Sequence, residues 1–136
     1  MNGWFGLRGL LVLAGVPAVL EGLAGVVNTA WIARWYSLSA GASLSVTPEI
    51  SYLVHVLGVY LIAFGGLQLY ASADPASRRP HIVFGALVML ARGIQRLALT
   101  PELHRLFQVP AWLNVAHATY LVCLALALLW LQRTVK

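Results

Sequence analysis

The chain carries four apolar stretches, Gly9–Ala33, Ser51–Ser72, Ile82–Leu99 and Ala111–Leu131. Each is about as long as the 17–25 residues a helix needs to cross a hydrocarbon core. The connections between them are short and hold helix breakers. Ser37–Pro48 is polar and rich in Ser and Gly, Ala73–His81 carries Asp74, Pro75 and Pro80, and Thr100–Pro110 carries Pro101 and Pro110. The expected fold is therefore all-α: one domain built as an integral-membrane four-helix bundle. The Ser37–Pro48 connection reads as a tether rather than as a short lid over the bundle mouth.

Composition agrees with this. Hydrophobic residues make up 60% of the 136 and charged residues only 10%, where soluble domains average about a quarter charged. The formal charge of +5 raises the question of nucleic acid, but the cations cluster at the chain ends and in one loop, as topology signals do. Nucleic-acid binding is not expected. Arg8, Arg78, Arg79, Arg133 and Lys136 fall on one side of the four spans, and Arg34 and Arg105 on the other. By the positive-inside rule both termini are cytoplasmic. Trp4, Trp31, Trp35, Tyr36, Trp112 and Trp130 stand at span ends, where aromatic belts anchor helices. A cleaved secretory leader is not expected, because no small-residue cleavage site leads into a polar mature domain. The lone Cys123 allows neither an intrachain disulfide nor a thiolate metal cluster, and no metal site is expected.

Against this apolar background the polar residues stand out. An arginine at mid-membrane is disfavoured by roughly 2.5–3.5 kcal/mol on insertion scales, yet Arg92 and Arg96 lie one turn apart in the third span. Glu21 is the one acid deep in an apolar run, at a depth of ~16 Å that nearly equals that of Arg92. The expectation is an intramembrane ion pair, Glu21 with Arg92 and Arg96. Asn28, Tyr52 and His55, Gln95, and Asn114, His117 and Tyr120 fall at overlapping depths on the four spans, and sharing of helix faces points to one polar pocket opening at the non-cytoplasmic side. A plain ion pair fixing helix registry is the alternative. Against it, two arginines and one carboxylate leave an unbalanced positive charge, which an anionic ligand, water or snorkelling of Arg96 would relieve.

The first span also shows Ala14, Ala18 and Gly22 at four-residue spacing, extended by Gly15 and Gly25. This smooth face suits close helix packing, within the chain or in a homo-oligomer. Pro17 removes one internal hydrogen bond and is a candidate kink.

Three functional readings follow. The first is a pocket for an amphiphile with an anionic or polar head (a lipid, quinone or isoprenoid-like molecule). Arg92 and Arg96 would hold the head, helped by Asn28, Tyr52, Gln95, Asn114 and Tyr120, while Glu21, His55 and His117 would serve acid–base chemistry. The second is a non-catalytic accessory subunit of a larger membrane complex. The third is a bis-histidine b-type haem protein using His55 and His117; otherwise no cofactor is expected. The spans give little sign of the broken helices of many transporters, so a conventional transporter is not the expected reading.

One stretch also resembles a known group. A Gly-rich span with Gly58, Gly65 and Gly66, a short Asp74-Pro75 loop with Arg78 and Arg79, and an Arg92-Gly93-Ile94-Gln95-Arg96 segment make Tyr60–Arg96 similar to part of the small DoxX-like four-helix inner-membrane proteins of bacteria. The resemblance implies a bundle in a bacterial inner membrane and a redox-associated or lipid-facing role. It assigns no catalytic residue.

Overall fold

The computed structural model describes residues 2–40 and 45–134, with side chains from residue 5 to 38 and from 45 onward. Lys136, the Trp4 side chain and the middle of the 37–48 connection thus lie outside the described residues. The described chain is helical, in the order α1 (Asn2–Val27), α2 (Thr29–Ala40), α3 (Pro48–Ala73), α4 (Arg79–Ala98), α5 (Thr100–Phe107) and α6 (Ala111–Thr134). Four of these, α1 from Phe5 onward, α3, α4 and α6, are long and apolar enough to cross a membrane. A helix satisfies its own backbone, as a span in lipid must. The fold is an all-α membrane bundle.

The structure departs most from the sequence expectation in two places. The first span ends at Val27, short of Ala33, because Asn28 interrupts it. The Asn28 Oδ1 accepts the Trp31 backbone N–H at 3.0 Å, the geometry of an N-cap, so a new helix starts there. Ile32 and Ala33 of α2 are buried, and the Thr29 and Ser51 hydroxyls, 3.2 Å apart, link the start of α2 to α3. The 100–110 connection also forms a helix. Pro101 sits in the first turn of α5, where its missing N–H costs nothing, and Gln108 closes the helix in the left-handed region at φ 56°.

Helices α1 and α3 run antiparallel in the closest approach of the fold. A Cβ on Gly22 would stand 2.5 Å from the Gly58 carbonyl oxygen, and one on Gly58 would stand 2.7 Å from that of Gly22. One turn pair away, Gly15 and Gly65 repeat the relation at 2.9 and 2.6 Å. The glycines are seven residues apart on each helix, a heptad seam where only hydrogen fits between backbones. The smooth face of α1 is thus used inside the chain, through Gly15 and Gly22, while Ala14 and Ala18 turn to a cavity. Helices α4 and α6 form the second pair, where a Cβ on Gly93 would reach to 2.8 Å from Val122 and 3.1 Å from the Ala118 carbonyl oxygen.

The two pairs meet at the end that holds the termini. There Leu7 and Leu11 of α1, Ala71 of α3, Ile82, Ala86 and Met89 of α4, and Ala125 and Leu128 of α6 make one core. Gln68 is fully buried beside it, its amide atoms find no hydrogen-bond partner among the described residues, and its carboxamide fills the space a Cβ on Gly85 would need. Arg78 closes the α3–α4 connection by donating to the Tyr70 carbonyl and stacking 3.7 Å from the Tyr70 ring centre. Each half of the molecule is thus a long helix, a short helix and a long helix, and at the far end the halves stand apart.

Candidate functional site

A cavity of about 530 Å³ occupies the space between the halves. The residues facing it form stripes at helical spacing. On α4 the stripe is Phe84, Val88, Arg92 and Arg96, four residues apart throughout, and on α1 it is Leu13, Pro17 and Glu21. Both stripes run from apolar near the core to charged at the far end. From α6, His117 and Tyr120 join the charged end, and Leu124 the apolar one.

The charged end is asymmetric. Glu21 comes from the first half and both arginines from the second. The three are within electrostatic range of one another, but among the described residues no nitrogen of Arg92 or Arg96 lies within 4.0 Å of the Glu21 carboxylate. The expected direct ion pair is therefore not made. The reason is geometric: α1 and α4 belong to different halves, and the halves diverge at this depth. Arg92 makes no hydrogen bond among the described residues, and its exposed side chain borders the cavity.

Arg96 is held. Its Nε donates to the Asn114 Oδ1 at 3.0 Å, while the Asn114 Nδ2 donates to the Arg96 carbonyl and to the Thr100 hydroxyl, each at 2.8 Å. Thr100 in turn donates to the carbonyls of Arg96 and Leu97. Asn114 is 1% exposed and lies behind the arginine, outside the cavity wall. With Nε engaged, the two terminal nitrogens of Arg96 remain as donors. His117 packs edge-on against Tyr120, ring centres 6.4 Å apart, within electrostatic range of both arginines.

The cavity thus gathers Glu21, Arg92, Arg96, His117 and Tyr120. It does not gather the other residues singled out from the sequence. Asn28 caps α2, and Tyr52 is 70% exposed on α3. His55 is exposed, with its Nδ1 2.6 Å from the Ser51 carbonyl oxygen of its own helix, and Gln95 is exposed and off the α4 stripe. His55 and His117, the candidate haem pair of the third reading, do not share this cavity. Among the described residues no group of three His, Cys, Asp or Glu is placed to hold a metal ion.

Two cavity residues escaped the sequence reading. Tyr60 lines the cavity from α3 one turn before Phe64, and Tyr36 reaches the site from α2. Tyr36 also borders a smaller cavity of about 100 Å³, which shares Glu21 and Arg92. The signal for Tyr36 was the Asn28-Thr29 pair: a cap there turns the next helix back toward the bundle. No family model, curated protein or solved structure matches the chain.

Proposed function

We propose that the chain binds an amphiphile in the cavity between its halves, with the anionic or polar head at Arg92 and Arg96 and the apolar part along the Phe84–Val88 and Leu13–Pro17 stripes. One observation carries the reading: a single cavity grades from apolar to charged, and its charged end holds two guanidiniums with no carboxylate of the described residues in contact. Charges in such a place are costly unless met, and arginine suits carboxylate or phosphate oxygens. The volume falls within the range of about 300–1,000 Å³ typical of small-molecule sites. Glu21 and His117 stand where a bound head would touch them and are the acid–base groups of the proposal. The topology proposed with it has cytoplasmic termini, on the count of cations per side, and a bacterial inner membrane, on the DoxX-like resemblance of Tyr60–Arg96.

The test is mass spectrometry of small molecules that co-purify with wild type and with Arg92→Ala. The expected result is an amphiphile present in the first and depleted in the second. Co-purifying proteins without any small molecule would replace this reading with the accessory-subunit one, and an absorbing porphyrin would replace it with haem.

A further inference from the structure

The balance of charge at the far end narrows the ligand class, given the amphiphile reading above. Arg92 and Arg96 face the cavity from one wall and Glu21 from the other. Two guanidiniums and one carboxylate leave a single positive charge in excess. A head with one negative charge neutralises it, whereas a second negative charge meets the Glu21 carboxylate in a partly desolvated space, where like charges repel strongly. Asn114 engages the Arg96 guanidinium only through Nε, leaving its terminal nitrogens as a fork that matches a planar carboxylate.

The remainder of the cavity speaks to the tail. From Arg96 to Phe84 the α4 stripe runs ~18 Å, and below Arg92 it carries no charge. A volume of about 530 Å³ is ample for one single-chain molecule of moderate size. We propose that the ligand is a single-chain carboxylic acid, bound as its carboxylate between Arg92 and Arg96, with Glu21 on the opposite wall rejecting dianionic heads such as phosphate monoesters.

Palmitate, hexadecyl phosphate and hexadecanol share one chain and differ in head charge. Their binding is compared by calorimetry on the full chain in phosphatidylcholine nanodiscs at about pH 9, where carboxylates are ionised and phosphate monoesters are dianions. Wild type is expected to take palmitate at least about tenfold more tightly than hexadecyl phosphate. Glu21→Gln is expected to abolish or reverse that preference by strengthening hexadecyl phosphate, and Arg92→Ala to weaken both anions. Equal binding of the two anions by wild type overturns the monoanion assignment and needs no variant. So does a preference that survives in a folded Glu21→Gln protein. In either case the amphiphile site itself stands so long as Arg92→Ala still weakens binding. Hexadecanol matching palmitate, or binding indifferent to Arg92→Ala, overturns the head-group site as well.

Discussion

Asn114 on α6 holds Arg96 on α4 from two directions, accepting from its Nε at 3.0 Å and donating to its carbonyl at 2.8 Å. One amide therefore sets both the backbone at the end of α4 and the aim of the guanidinium. Asn114→Ala is expected to leave buried partners unsatisfied, with a loss of about 1–3 kcal/mol in stability. It is also expected to broaden the Arg96 Nε signal in an NMR spectrum of the membrane-embedded protein. A sharp, unshifted Nε signal in that variant would mean that the amide does not position the arginine.

The seam between α1 and α3 leaves no room for a methyl group at four glycines. Gly22→Ala and Gly65→Ala place a Cβ under 3 Å from the facing backbone, and overpacking of this kind costs typically about 1–3 kcal/mol. Gly66→Ala is the internal control, since nothing lies within 4 Å of its Cβ position. Thermal unfolding in detergent is expected to rank Gly66→Ala with wild type and the two seam variants well below.

Gln68 is buried with both amide atoms unpartnered. An apolar replacement of similar shape, Gln68→Met, is expected to be neutral or stabilising by about 1–2 kcal/mol, since a desolvated amide without partners is a liability. The carboxamide lies over Gly85, so the penalty of Gly85→Ala is expected to shrink in a Gln68→Ala background. A double-mutant cycle measures that coupling, and additive effects would contradict it.

The turn after α3 gives a pH dependence outside the membrane. The Ser77 hydroxyl donates to the Asp74 Oδ2 at 2.6 Å and, with the Ser77 backbone and Arg78, holds the carboxyl below its usual range. A folded pKa below the unfolded one stabilises the fold above the ordinary Asp value near 3.9, and that contribution is lost as pH falls through the folded value. Ser77→Ala is expected to move the Asp74 titration upward, read by carbon NMR of its carboxyl group. An unchanged titration would show that the hydroxyl does not set it.

Much of this molecule was legible before its coordinates, for reasons that particular residues make plain. The spans are legible because lipid demands long apolar runs, and the depths of Glu21, Arg92 and His117 follow from counting residues along helices. Their common cavity follows from those depths and from the four-residue stripes on α1 and α4. Hydropathy, however, does not register a turn. The run through Trp31-Ile32-Ala33 stays apolar across the Asn28 break, so hydropathy merges α2 with the first span and places Tyr36 only at a span end. Depth arithmetic also says nothing of azimuth. Tyr52 and His55 have suitable depths but stand away from the cavity, and Asn114 has the right depth and faces the back of Arg96. The contact expected between Glu21 and the arginines failed for a further reason, since equal depth does not bring together helices from halves that diverge.

The proposed guest occupies the space between the diverging halves, with its head between the arginines and Glu21. An experimental density map of the protein, purified from its own membrane with no ligand added, tests this most directly. The expected map has elongated density between α1 and α4, its head within hydrogen-bond distance of Arg92 and of the terminal nitrogens of Arg96. A map with α1 and α4 closed together, the Glu21 carboxylate in contact with Arg92 and no space between, would contradict it.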